Sequence, residues 1–368
     1  MPRAYVPVLK GKQGELRALR EMSGDLLTTV RPLLEVVGSS TVEEDERPSD
    51  EVVEGELTTA VRKISGAWLP GRSPLLVDAA DVEMDSEQLG ERVPVIRQLI
   101  DRLLRSGVAV VPVVRLSDPA PVYEALVESC RRDGLGAALR ITPDDLDDSV
   151  LPMDQLIESR VGALGITNPG SIDVILDFGQ LVDESAVALA NRLGRFIVPD
   201  LMRQRWRTVA VASGGFPPDL SGIQAFTLAS IPRLDRQLWQ ALNRLQLNRP
   251  LDFADYAVSH PLLPVGVAFA APPQLRYTVD DSWLILKGRR QDRRGHRQFF
   301  DLCRTLLESE HRFGPPELSW GDSQIHLAAM SSEGEERVGP GNASTWRSIA
   351  TSHHVAWVAR SLRERDEP

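Results

Sequence analysis

Eight times before about residue 260, a short run of β-branched or apolar residues is followed by a longer amphipathic stretch. The strand patterns cover residues 4–10, 32–37, 74–79, 109–116, 137–141, 173–178, 208–213 and 253–258. Helical spacing fills the intervals, over 14–21, 51–67, 91–106, 120–132, 153–162, 184–196 and 233–245. Strands that alternate with helices indicate βαβ units and a parallel sheet. The near-continuous apolar run 108–114 suits a strand covered on both faces. Eight such units match the size of a (β/α)8 barrel, so the expected fold is α/β, a TIM-like barrel. An open doubly wound sheet shares the local signature, but no Gly-x-Gly-x-x-Gly follows any strand. After the eighth strand, 274–279 and 282–286 flank Asp280-Asp281 and read as an inserted β-hairpin. Residues 295–311 are expected to form the final barrel helix, and a closing helix starts near Ser344, with Ser344 as its cap and Asn342 serving the preceding turn. The chain is therefore divided into a barrel core, 1–265, and an elaboration packed on it, 266–368.

The strand ends carry charge. Lys10, Glu35, Asp78, Arg115, Arg140, Asp177, Ser213 and Asp255 stand near the C-terminal ends of successive strands. Two residues before each lies an apolar or small one, such as Val8, Leu33, Leu76, Val113, Ala138, Ile175, Val211 and Phe253. Period-two alternation then places the polar ends on the interior face, at the mouth where barrel proteins build their sites. Glu35, Asp78 and Asp177 are candidate ligands for Mg²⁺ or Mn²⁺, with Lys10, Arg115 and Arg140 beside them for an anion. Asp177, Glu35, Asp78, Lys10 and His353 form the candidate catalytic set, and divalent-metal-assisted phosphoester hydrolysis is the reaction class that it suits. The competing reading is a closed polar network that only plugs the barrel, because a buried charge must pair.

Two further stretches point to an anion. Ser213, Gly214 and Gly215 offer backbone amides after the seventh strand. Residues 287–297 hold six Lys and Arg residues, among them Arg289, Arg290, Arg293 and Arg294, against one acid, just before a helix. Cations oppose the macrodipole there, so an anionic partner or a solvated basic patch must account for them. The tail gathers Trp320, Asp322, Arg347, His353 and His354. Adjacent histidines on a helix diverge by about 100°, so only one of the pair can face a given target. The formal charge of −10 argues against indiscriminate nucleic-acid binding. Only four lysines occur (Lys10, Lys12, Lys63 and Lys287), the other 38 of the 42 basic residues being arginine. Two distant cysteines, no membrane-length apolar run and no secretion-type apolar stretch at the start lead to an expectation of a cytoplasmic protein without disulfides.

The segment from Tyr5 through Lys10 to Glu15, with Pro32-Leu33-Leu34-Glu35-Val36, resembles the opening of the bacterial and phage "beta protein" family. Arg276-Tyr277-Thr278, Ser319-Trp320-Gly321-Asp322, and Gly341-Asn342-Ala343-Ser344-Thr345-Trp346-Arg347 followed by Ser352-His353-His354 resemble it too. The resemblance implies a cytosolic bacterial or phage protein from mobile or antiphage-defence gene neighbourhoods, and it supplies no catalytic residues. The functional expectation is a phosphorylated small molecule or nucleotide at the barrel mouth. A non-catalytic sensor or assembly module acting through a protein partner encoded nearby is the first alternative. A nucleic-acid binder using residues 287–297 is the second.

Overall fold

The computed structural model describes residues 3–38, 50–82, 93–147, 153–262, 271–309, 313–332 and 334–366. Parts of the acidic stretches 43–51 and 144–154 lie outside the described residues. Eight parallel strands close into a barrel: β1 (Tyr5–Leu9), β2 (Leu33–Glu35), β3 (Leu75–Asp78), β4 (Val110–Arg115), β5 (Ala137–Ile141), β6 (Ile172–Gln180), β7 (Thr208–Gly214) and, after β8 (Ala229–Pro232), β9 (Asp252–Asp255). Closure is the β1–β9 pairing, with Tyr5 opposite Phe253 and Pro7 opposite Asp255. A separate antiparallel sheet has the order β10 (Gln274–Thr278), β11 (Ser282–Lys287), β8. The expected hairpin is thus present, joined by β8, which comes from within residues 1–265. The helices are α1 (Gln13–Arg20), α2 (Asp50–Ala67), α3 (Val95–Arg105), α4 (Ala120–Asp133), α5 (Asp144–Asp147), α6 (Met153–Ala163), α7 (Glu184–Leu201), α8 (Leu234–Leu242), α9 (Gln298–Leu307), α10 (Trp320–Ala329) and α11 (Ala343–Asp366).

The barrel interior is filled by Val6, Val8, Leu33, Leu76, Val111, Val113, Ala138, Ile175, Ala210, Ala212, Ala254 and Tyr256. On six strands this is the face that alternation predicts. On β7 and β9 it is the other face: Val211 and Phe253 point outward under the helices, and Ser213 and Asp255 follow them. Both strands carry apolar residues on both alternations, so period two alone leaves their phase open. The bulky residues go outward, where Phe253 stacks on Tyr5 at 5.8 Å and meets Trp239 edge-on at 5.3 Å. Small alanines go inward, leaving room for the large side chains of the mouth.

A second core joins β10 and β11 (Leu275, Tyr277, Leu284 and Leu286) to Phe299, Cys303 and Leu306 of α9, Ile325 of α10, and Trp346 and Ile349 of α11. The helix expected to complete the barrel therefore lies in this added layer. Its place on the barrel is taken by α11, whose Val355, Val358, Ala359 and Leu362 enter the main core. One helix thus has its first half in one core and its second half in the other, each buried aliphatic side chain contributing about 1.5–3 kcal/mol. Asn342, rather than Ser344, caps it by accepting from the Thr345 amide at 3.0 Å. Helix α10 was not anticipated, although Ser319-x-x-Asp322 is an N-terminal signature. Ser319 Oγ accepts from the Asp322 amide at 3.0 Å. Cys130 and Cys303 are both buried and free, as expected.

One turn has no tolerance for a side chain. Gly136, entering β5, has φ of +78°, and a Cβ there would lie 1.8 Å from the Ser171 carbonyl oxygen. Gly136→Ala is expected to cost about 2–3 kcal/mol through left-handed strain and displacement of the strand. A urea midpoint lowered at constant slope would show this. A midpoint equal to that of the native protein would mean that the β5–β6 entry yields freely.

Candidate functional site

Seven strand ends meet at the mouth. Arg140 stands at the centre, its Nη1 donating to Glu35 Oε1 at 2.8 Å and Asp78 Oδ2 at 2.7 Å. Its Nε and Nη2 donate to Asp177 Oδ2 at 2.9 and 2.6 Å, and Nη2 also to the Tyr256 hydroxyl at 2.7 Å. The Tyr256 hydroxyl in turn donates to Asp177 Oδ2 at 2.6 Å. Lys10 Nζ meets Glu35 Oε2 at 2.6 Å, and Arg115 Nη2 meets Asp78 Oδ2 at 3.1 Å. Arg115 is partly exposed and the other five charged residues are buried. Burial alone would raise the carboxyls of Asp78 and Asp177. The nearby cations, Arg140 foremost, outweigh it and hold both below the ordinary range. Three cations thus face three carboxylates, and every carboxylate oxygen that a metal would need is turned toward a guanidinium, an ammonium or a backbone amide. Among the described residues no group of three or more His, Cys, Asp and Glu side chains is disposed to hold a metal ion. The geometry of the mouth is that of the closed polar network.

Tyr256, the polar group that completes this network, lay one residue beyond the expected Asp255. Asp255 itself faces the added layer. It accepts from Tyr5 Oη at 2.7 Å, Arg233 Nη2 at 2.8 Å, His354 Nε2 at 2.8 Å and the Ala257 amide at 3.0 Å. Burial works against its charge, yet His354 and Arg233 hold its pKa at about 2. His354 Nδ1 lies 2.8 Å from Thr278 Oγ1, so Asp255, His354 and Thr278 form a chain with the hydrogen-bond order of a catalytic triad. All three are buried, and the chain serves as a joint between barrel and added layer. Burial also lowers the pKa of His354, which suits a neutral ring donating from Nε2 and accepting at Nδ1.

His353 points the other way, as the helical geometry required. Its Nδ1 meets Asp322 Oδ1 at 2.9 Å, its Nε2 meets the Thr278 carbonyl at 2.8 Å, and Tyr277 stacks on it at 3.7 Å. It is fully buried and overhangs no open site. Asp322 is likewise consumed by His353, Tyr277 and Ser319. Trp320 receives the Arg17 guanidinium 4.7 Å above its ring. The Gly214-Gly215 turn is packed shut: a Cβ at Gly214 would stand 2.3 Å from Pro261, and one at Gly215 3.0 Å from Leu234. In the basic run, Arg294 pairs with Asp292 and Asp301, and Arg297 with Glu336. Arg289, Arg290 and Arg293 are exposed.

One pair of cations is different. Arg347, in the first turn of α11, donates to Ser259 Oγ at 2.8 Å, and Arg276 of β10 donates to the Val258 carbonyl. Consecutive residues beyond β9 thus bring the two guanidiniums side by side. Arg276 also bonds Gln274 Oε1 at 3.0 Å and lies 4.4 Å over the Phe216 ring. All these partners are neutral, and among the described residues neither arginine has a carboxylate within ion-pair distance. The stem of Arg347 crosses Gly14, where a Cβ would stand only 3.0 Å from its own, so the first turn of α1 lies directly beside the pair. Lys12, in that turn, feels the field of Arg347 and Lys10. Glu15 is the nearby acid, accepting from Ser259 Oγ at 3.1 Å. Burial, and then Arg347, pull the pKa of Arg276 well down, and burial lowers that of Arg347. A guanidinium stays protonated all the same, so both charges are held at a cost that a bound anion would relieve. Arg347 is one of the ligand-binding residues expected from the sequence, whereas Arg276 stands there only within the Arg276-Tyr277-Thr278 motif.

Fold and site together define a closed (β/α)8 barrel whose interior charges neutralise one another, with a second α/β layer docked across its mouth. The chain belongs to the Beta protein family, whose model matches residues 5–360. No curated protein matches the sequence. Among the described residues no helix is long and apolar enough to cross a membrane.

Proposed function

We propose that this protein binds a phosphate-bearing ligand on the mouth face of the barrel, with Arg276 and Arg347 as the anion-holding residues. The observation that carries this reading is the placement of two adjacent, half-buried guanidiniums on neutral partners. With Lys12 they set three cations near the carboxylate of Glu15 among the described residues, an excess that suits a dianion. The reading is of a binding protein rather than a hydrolase, since Glu35, Asp78 and Asp177 are engaged with Arg140. A part in antiphage defence, implied by family resemblance, fits a ligand-responsive component whose anion sits at the seam of two layers. The exposed Arg289, Arg290 and Arg293 support nucleic-acid binding as the second reading.

Isothermal titration with inorganic phosphate, pyrophosphate, AMP and short oligonucleotides tests both. Arg276→Gln and Arg347→Gln are each expected to weaken phosphate binding at least tenfold. Equal affinity in both variants would end the proposal. Oligonucleotide binding that is lost only on replacing Arg289, Arg290 and Arg293 would favour the second reading.

A further inference from the structure

A cavity of about 680 Å³ opens on the same face of the barrel, between α2 and the segments that follow β1, β2 and β3. Its volume lies in the range of small-molecule sites. Leu34, Val36, Val37, Leu57, Ile64 and Val82 give it an aliphatic wall, and its lining contains no aromatic side chain among the described residues. A nucleobase, which is held by stacking on aromatic or guanidinium planes, finds no such platform here. Among the described residues the charges of the lining balance, Lys12 and Lys63 against Glu51 and Glu56. The cavity itself therefore selects an uncharged body. Gly11, Lys12 and Gln13 line it from the first turn of α1, the same turn that lies against Arg347 through Gly14. One short turn thus has the aliphatic cavity on one side and the paired arginines on the other.

We infer that the phosphate-bearing ligand carries an aliphatic chain, with the chain lodged in this cavity and the anionic head directed past Lys12 toward Arg347 and Arg276. The inference rests on the phosphate-binding reading and names the ligand class for it: an alkyl, acyl or isoprenoid phosphate. Lys12 is then the residue at which chain and head meet. Three of the four lysines of the chain, Lys10, Lys12 and Lys63, stand at the mouth or in this cavity.

The experiment is a calorimetric comparison of inorganic phosphate, hexyl phosphate and AMP on the full chain. Hexyl phosphate is expected to bind at least tenfold more tightly than inorganic phosphate, and AMP no better than inorganic phosphate. Ala60→Phe, which places a ring in the cavity, should bring the ratio of hexyl phosphate to phosphate affinity within about twofold of unity. Gly55→Phe is a second filler, at a helical glycine whose Cβ position has nothing within 4 Å. Hexyl phosphate and AMP binding alike, or a chain preference that survives both fillers, would overturn the inference while leaving phosphate binding in place. Absence of binding by inorganic phosphate and hexyl phosphate alike would remove the phosphate reading, and this inference with it.

Discussion

Replacing Arg140 by leucine is expected to cost about 3–5 kcal/mol of stability, the range found when one partner of a buried ion pair is removed. The cause is specific. Glu35, Asp78 and Asp177 would remain inside the barrel, with Lys10, the partly exposed Arg115 and Tyr256 as their remaining side-chain partners. The deficit should depend on pH in a defined sense. In the native protein Asp78 and Asp177 are held below the ordinary carboxylate range, so their contribution is complete above about pH 4 and is lost as pH falls through their folded values. Without Arg140, burial dominates and the same carboxyls rise, taking up protons at higher pH. The gap between variant and native protein should therefore narrow from about pH 8 to about pH 5, measured as urea midpoints. A gap of constant size would place the loss in altered packing rather than in unpaired charge.

Asp255→Ala is expected to have an effect of the same order, about 3–5 kcal/mol, through a different set of partners. Arg233 is fully buried between the Phe253 and Trp283 rings, and among the described residues its Nε and Nη1 have no hydrogen-bond partner. Its ion-pair contacts run through Nη2, shared between Asp235 and Asp255. Removal of Asp255 strips that bond and orphans the Tyr5 hydroxyl and His354 Nε2 together. Asp255→Asn should retain part of the stability, because an amide oxygen can still accept. It should also flatten the acid limb of the stability profile, since a carboxyl held near 2 withdraws its contribution between about pH 4 and pH 2. Thermal unfolding near pH 7 would measure the first effect and an acid titration of the unfolding midpoint the second. Native-like stability of the alanine variant would mean that the joint between the layers is held by apolar contact alone.

The barrel was legible because its signal is local. On six of the eight strands, counting back by two from the polar end gave the interior face and placed Lys10, Glu35, Asp78, Arg115, Arg140 and Asp177 at the mouth, where the structure brings them together. On β7 and β9 both faces are apolar, and there the count chose the bulkier residue for the inside. The decision was made elsewhere, by the space that Arg140 occupies and by the aromatic neighbours Tyr5 and Trp239. Helix α10 carried a readable start in Ser319 and Asp322. The closing helix was readable as a helix but not as the cover of the barrel, because an insertion separates it from β9. Which charges neutralise which was not readable at all. Arg140 meets partners 37, 62 and 105 residues away, and Arg276 meets Arg347 through consecutive residues of a third segment. Such pairings are fixed by barrel closure and leave no periodic trace.

The position of α11 bears on the order in which this chain can acquire structure during synthesis. β1 is made before the other strands of the barrel, yet one of its edges waits for residues 253–255 and its outer cover for residues 343–366. Until residues 253–255 are made, β1 is an apolar strand with an unpaired edge, a form prone to wrong partners. Closure also requires contacts between distant parts of the sequence, which slows folding. A holdase that shields the first strand until the last helix has left the ribosome would meet that need, and the yield of folded protein should follow its supply more closely than it follows the strength of any single contact.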